Sequence, residues 1–281
     1  MKIYISVDME GLAGIVHFTQ EKEEQARFRK AMHNQLQWVI EGIQASHKNH
    51  EIEEITIADS HGSGMNLDYD FLSDLDDRIY LISGSPRPNY MMPLLDESYD
   101  VVFFVGYHGG VGALNANMDH TYALSIIHNF KINGKKMSET QINAAYASSF
   151  DVPVAFIVGD SGLEKEVNEI MPWVHYVKTK ESISRFSAKY YPKKIIRENT
   201  IREVINTLNE NFETIPRFHF EAPYHVEIEF NLGSQLDLAM TIPNIAIVDG
   251  RTIAFTSNNY KEFFNMIMMI VSVVRKGYPF S

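Results

Sequence analysis

The run Ser6-Val7-Asp8-Met9-Glu10-Gly11 sets two carboxylates two residues apart at the end of an apolar segment, with a glycine behind them. Lys2 to Val7 is short, β-branched and largely apolar, which reads as a buried strand. Acids at the end of a buried strand are costly unless a positive charge meets them, and a divalent metal fits that need. Other apolar runs end in the same manner. Ile55–Ala58 leads into Asp59-Ser60-His61, Val101–Val105 into Gly106-Tyr107-His108, and Pro153–Val158 into Gly159-Asp160. The carboxyl ends of parallel strands gather at one edge of a sheet, where open α/β folds bind ligands. Two imidazoles with three or four carboxylates suit Zn²⁺, Mn²⁺ or Fe²⁺ and offer enough ligands for two ions sharing a bridging carboxylate. Two ions about 3.5–4 Å apart can activate a bridging water and polarise a carbonyl or phosphoryl oxygen.

Some of these groups have simpler roles. Asp160 precedes Ser161-Gly162-Leu163-Glu164 and reads as a helix cap. Asp59 reads as support for His61 rather than as a ligand. Ser138-Glu139-Thr140-Gln141 has the capping-box pattern, and an acid in a first helical turn suits the dipole. His33, His47, His50, His128, His175, His219 and His225 fall on helix faces, loops or alternating strands and read as structural or solvated. Gly109-Gly110-Val111-Gly112 lacks the Gly-Lys-Ser/Thr of a phosphate loop, and neither a dinucleotide fingerprint nor a Gly-x-Ser-x-Gly elbow occurs.

The elements that must position these residues alternate between strand and helix. Glu21 to Lys48 carries Met32, Leu36, Val39, Ile40 and Ile43 at helical spacing, a helix of roughly 40 Å at 1.5 Å per residue. Arg78–Ser83 reads as a strand, Pro88–Asp96 as a short helix, and Asn133-Gly134 as the turn of a hairpin. The pattern predicts an α/β fold in three layers, a mostly parallel sheet with helices on both faces. After about residue 190 the style becomes α+β. There a helix through Ile201 to Phe212, an alternating strand at His225–Phe230, a hairpin around Asp249-Gly250 and a closing apolar helix are expected. This divides the chain into a metal-binding domain over 1–190 and a smaller subdomain over 191–281, with the hairpin near 122–137 assignable to either.

The 281 residues carry a net charge of −11, which speaks against nucleic acid or an anionic membrane as partner. With no cysteine, any metal must use His, Asp and Glu, and a reducing cytoplasm is compatible with the chain. The stretch Phe263–Val274 is too short to span a bilayer, and no signal peptide is expected at the N-terminus.

Several motifs in order, Ser6–Gly11, Asp59-Ser60-His61, Leu81-Ile82-Ser83-Gly84, Gly106-Tyr107-His108, Asp119-His120-Thr121, and Glu139 with Asn143, resemble the DppA-type zinc D-aminopeptidases of bacterial dipeptide transport. The resemblance implies a dinuclear zinc site, with Mn²⁺ or another divalent ion as substitute. Asp8 would bridge the ions, with Glu10 and His108 on one and His61 and Glu139 on the other. It also implies a functional His120 beside the metals. The family treats that residue as a nucleophile, but a site already supplying hydroxide leaves it general acid–base work or transition-state stabilisation. Around Gly109–Met118 the chain departs from the family pattern, in a loop that would border the substrate pocket. The expected activity is hydrolysis of the N-terminal residue of short peptides, D-amino-acid-containing ones among them, by a homo-oligomer, a ring-shaped decamer by resemblance. An amidase, a phosphatase or a non-catalytic dipeptide binder are the alternatives.

Overall fold

The computed structural model describes residues 1–276. The first half contains β1 (Lys2–Val7), α1 (Gln20–Glu23), α2 (Gln25–Ala45), β2 (Glu54–Asp59), α3 (Tyr69–Leu75), β3 (Ile79–Ile82) and β4 (Val101–Tyr107). Next come β5 (Ile127–Ile132), β6 (Lys135–Lys136), α4 (Glu139–Ser148), β7 (Val154–Gly159), α5 (Ser161–Ile170) and β8 (His175–Lys178). After them come β9 (Lys180–Ser184), β10 (Ser187–Tyr190), α6 (Lys193–Asn209) and β11 (Tyr224–Phe230). Last are α7 (Gly233–Ala239), β12 (Ala246–Ile247), β13 (Thr252–Ser257) and α8 (Tyr260–Lys276).

Six strands form a parallel sheet in the order β3-β2-β1-β4-β7-β8. The chain winds outward from β1 to β3, returns to the centre at β4 and winds the other way. The order therefore reverses between β1 and β4, and at such a switch point the loops leaving adjacent strands diverge and open a crevice. β1, β4 and β7 are almost wholly buried apolar runs, as strands covered on both faces must be. One face packs Ile3, Ile5 and Val7 against Met32 and Leu36 of α2 and Val204 and Leu208 of α6. The other packs Tyr4, Phe104 and Tyr107 against α4, a second sheet, and Phe263, Phe264 and Ile267 of α8. This is the layered α/β architecture that the alternation predicts.

The second sheet is antiparallel, in the order β12-β13-β11-β5-β6. The hairpin at Ile127–Lys136 joins it, while α6 packs beside α2 on the parallel-sheet side. The two sheets thus interleave along the chain.

Three local expectations change. Pro88–Asp96 is a series of turns, not a helix: Asn89, Tyr90 and Leu94 have φ of 60°, 47° and 60°, and Pro93 removes a donor. The long helix breaks at Glu24 (φ −122°, ψ 39°) into α1 and α2 and ends at Ala45. The β9–β10 hairpin was not expected, because its polar residues mask the alternation.

Candidate metal centre

The switch point is where the acids sit. Asp8 follows β1 directly, and its N–H extends the ladder to the Val105 carbonyl at 2.8 Å. The loops leaving β1 and β4 interlock through two glycines. Gly11 donates to the Gly106 carbonyl at 2.7 Å. A Cβ on Gly11 would lie 1.9 Å from the Tyr107 carbonyl oxygen, and one on Gly106 (φ +82°) would lie 2.1 Å from the Asp8 carbonyl oxygen. Only glycine allows that approach. It brings Asp8 and Glu10 beside His108, which follows β4.

His61 comes from the turn after β2. Asp59 organises this turn, accepting from the Asn66 N–H at 2.6 Å, Asn66 Nδ2 at 2.8 Å and the Leu67 N–H at 3.0 Å. Asn66 in turn donates to the His61 carbonyl at 2.9 Å, so Asp59 supports the turn rather than facing the acids. Asp160 caps α5 through the Leu163 N–H at 2.9 Å and also accepts from the Asn117 N–H at 2.9 Å. Glu139 is the first residue of α4, held there by the Ser138–Gln141 capping box. Asn143 of the same helix donates to the Tyr107 hydroxyl at 3.2 Å, which meets Ser6 Oγ at 2.6 Å. These contacts dock α4 on β1 and β4 and carry Glu139 to the sheet edge.

The five residues and His120 converge. His61 Nδ1 lies 3.0 Å from Asp8 Oδ1 and 3.5 Å from Glu10 Oε2. His108 Nε2 lies 3.5 Å from Asp8 Oδ2 and 3.8 Å from Glu139 Oε1. His120 Nε2 lies 3.6 Å from Glu139 Oε1 and 4.0 Å from Glu10 Oε1, its ring stacked on His108 at 4.3 Å. The second nitrogen of each ring is turned away. His108 Nδ1 meets the Gly109 carbonyl and His120 Nδ1 the Met118 carbonyl, both at 2.9 Å, and His61 Nε2 faces Glu21 at 3.5 Å. Such outer partners fix the tautomer and leave the inward nitrogen as a lone-pair donor.

Both Glu10 oxygens and His108 Nε2 are buried without a hydrogen-bond partner. Buried polar atoms in native proteins are nearly always satisfied, so these atoms ask for a partner that is not a protein group. A divalent cation is one: Asp8/Glu10/His61, Asp8/His108/Glu139 and Glu10/His108/His120 each bring three donor atoms within 4.8 Å of one another. The donor set therefore fits metal, and Asp8 belongs to two of the groups. The distances pair Glu10 with His61 and Glu139 with His108 around Asp8, whereas the resemblance pairs Glu10 with His108 and His61 with Glu139. The third group keeps Glu10 beside His108 and counts His120 among the donors.

The electrostatics follow from crowding acids in a buried space. Burial and the Glu10 charge raise Asp8 to about 6. Burial raises Glu139 to about 8 against the pull of His108, with Asp8 and Glu10 adding to the rise. Burial opposes ionisation of Glu10, but His61, His108 and His120 hold it well below the usual range. Burial resists protonation of His108, yet Glu139, Glu10 and Asp8 lift it to about 9. His120, pushed by burial and by His108, falls to about 3 and stays neutral.

Three residues of the surroundings carried no signal in the sequence. Glu21 of α1 faces His61 from the solvent side. Arg87 spends its guanidinium on carbonyls, donating to Gly84 at 2.6 Å, Ser60 at 3.0 Å and Tyr90 at 3.0 Å, and so braces the turn that bears His61. Lys180, fully buried, donates to the Glu10 and Ile15 carbonyls at 2.6 Å each and to Asn117 Oδ1 at 2.7 Å. Burial pulls Lys180 down to about 7 against the pull of Asp160 and Glu10. The Gly109–Met118 loop, with Leu114 82% exposed, is tied by the Gly112 N–H to Asp119 at 2.8 Å and the Gly110 N–H to Glu166 at 3.0 Å. His33 stacks on Phe71, His175 meets Glu203 and His225 meets Thr256, all away from the acids.

A cavity of about 400 Å³ opens onto Asp8, Glu10, His61, His120 and Glu139. A larger one of about 640 Å³, between the Gly110–Ala113 loop and Phe218–Glu221, holds none of the three donor groups. Chemistry rather than size marks the first as the site.

The profile of the M55 peptidases, described as D-aminopeptidase, matches residues 1–269. The chain belongs to this D-aminopeptidase family. It is 29% identical to the D-aminopeptidase of Bacillus subtilis (strain 168) over 281 residues, covering 98% of each chain. Its structure superposes on that of the Zn-dependent D-aminopeptidase DppA from Bacillus subtilis, a self-compartmentalizing protease, with a TM-score of 0.88 at 26% identity and complete coverage of both chains. As an M55 member the chain is an enzyme of the peptidase class. Among its described residues no helix is long and apolar enough to cross a membrane.

Proposed function

We propose that this M55 chain is a dinuclear-zinc aminopeptidase that releases the N-terminal residue of short peptides, D-configured in preference to L. It would act in the cytoplasm as a homo-oligomer. One observation carries the reading: three imidazoles turn one nitrogen each toward three buried carboxylates whose oxygens are in part unpartnered, with the other nitrogen tied outside. Asp8, Glu10, His61, His108 and Glu139 would hold the metal. Two zinc ions there would supply an activated water and polarise the scissile carbonyl.

The chain's own groups do the rest. The substrate α-amine would bind at the metals or at a nearby carboxylate of the cavity wall. His120, neutral and with its Nδ1–H held by the Met118 carbonyl, presents an unprotonated Nε2 to the cavity, where it can take a proton from the attacking water and then pass it to the departing amine. Phe18 packs edge-on against that ring with centroids 5.6 Å apart and holds its plane. The Tyr122 N–H donates to Glu139 Oε1 and keeps that carboxylate from turning away.

The test is metal content by elemental analysis together with turnover of short D- and L-peptides, amides and a phosphoester. Two zinc ions per chain and preferential D-peptide cleavage are expected, with His108→Ala losing metal and most activity. Full turnover by metal-free protein overturns the reading, and preference for the phosphoester reassigns the reaction class.

A further inference from the structure

We infer that Lys22 and Arg275 form a carboxylate-reading rim over the metal centre, making the substrate a short peptide with a free C-terminus. This rests on the aminopeptidase reading and adds the far end of the substrate to it. The cavity that opens onto Asp8, Glu10 and Glu139 is also lined by Lys22 of α1 and Arg275 of α8. The two cations come from opposite ends of the sequence, from α1 and α8, and both line this cavity. Arg275 is exposed near the end of α8 and shares this cavity wall with Tyr90.

The charges explain why an anion is wanted there. Apart from imidazoles, the other ionisable side chains around the cavity are the acids Asp8, Glu10, Glu21 and Glu139 beside Tyr90 and Tyr122. Two divalent ions would balance those four carboxylates, leaving Lys22 and Arg275 as an uncompensated positive rim. Among the described residues neither cation has a carboxylate oxygen within 4.0 Å. A peptide with its N-terminal residue at the metals has one obligatory anion, its C-terminal carboxylate. A cavity of about 400 Å³ lies at the small end of ligand sites and suits two or three small residues. Arginine can meet a carboxylate bidentately, while lysine acts as a point charge, so the pair gives both geometry and attraction.

The experiment compares a D-alanyl dipeptide and tripeptide with their C-terminal amides on the zinc-loaded protein. Turnover is measured alongside calorimetric binding of hydrolysis-resistant analogues whose scissile carbonyl is reduced to methylene. The wild-type protein is expected to bind the acids about tenfold or more tighter than the amides, the size of one charge-assisted contact. Arg275→Gln and Lys22→Gln should each raise KM and Kd for the acids several-fold with kcat little changed. Neither should alter Kd for the amides. Equal binding of acid and amide by the wild-type protein, no binding of either, or equal weakening of both by the substitutions overturns the inference. Failure of the aminopeptidase reading would look different, as binding of the acid analogue without cleavage of any peptide.

Discussion

Lys180→Met asks how much of the metal centre depends on a buried ammonium that touches no metal ligand side chain. The lysine is 0% exposed, and its three donors go to three acceptors: the Glu10 and Ile15 carbonyls and Asn117 Oδ1. Methionine fills nearly the same space and removes all three donors. Each buried acceptor left unpaired costs about 1–3 kcal/mol, so the gross loss is roughly 3–9 kcal/mol. Against it stands the relief from no longer desolvating an ammonium, several kcal/mol. The net expectation is a loss of about 3 kcal/mol. A chain of this size shifts by about 2 °C per kcal/mol, giving a fall in Tm of roughly 6 °C. The second consequence is local. The carbonyl of Glu10 and the side chain of Asn117 lose a common anchor, and Asn117 precedes Met118, whose carbonyl orients His120. Calorimetric melting of metal-free and zinc-loaded protein, with zinc affinity by chelator competition, separates the two effects. Zinc affinity should fall beyond what the global loss explains. A variant melting within about 1 °C of wild type with unchanged zinc affinity would refute the clamp.

Three further outcomes follow from the same contacts. Glu21→Gln removes the carboxylate behind His61 Nε2 and should weaken zinc binding about 10–100-fold in chelator competition, the usual effect of losing an outer partner of a ligand histidine. Unchanged affinity would show that Glu21 does not orient His61. Gly11→Ala drives a Cβ to 1.9 Å from the Tyr107 carbonyl oxygen, so the β1 and β4 loops must part. A loss of about 3 kcal/mol in denaturant unfolding is expected, with reduced zinc content. Asp76, held at about 2 chiefly by its hydrogen bonds from Arg78, sits below its ordinary value of 3.8. A depressed carboxylate contributes stability above pH 4 and loses it as the pH falls toward 2. The advantage of wild type over Asp76→Asn, about 1 kcal/mol after solvent screening, should shrink steadily in urea titrations as the pH falls from about 4 through 2. A gap that stays constant over that range would assign the effect to packing.

The legibility of this site in sequence has a physical basis. Asp8, Glu10, His61 and His108 each follow an apolar run, and parallel strands must deliver their carboxyl ends to one edge. Strand periodicity alone therefore convenes them. Glu139 arrives by another route, through an antiparallel hairpin and a capping box, and no period in the chain places it at that edge. Only the ordered set of motifs pointed to it. Lys180 and Glu21 were invisible because a lysine opening a polar hairpin and a glutamate on a short exposed helix look like ordinary surface. The turns at 88–96 read as helix because left-handed backbone at Asn89, Tyr90 and Leu94 leaves no compositional mark. Which ligand shares an ion with which depends on side-chain torsions, which strand ends do not encode.

The switch point also sets when the site can exist. Asp8 and His108 lie on opposite wings of the winding, and Glu139 is carried on a helix docked on both central strands. Each group of three donors joins Asp8 or Glu10 to a residue far along the chain, His61 at the nearest. Zinc added to the unfolded polypeptide therefore has no nascent cage to nucleate, unlike in a zinc finger, whose ligands lie close in sequence. The metal should enter last, capturing a sheet already closed, and should act on this enzyme as a lock rather than a template.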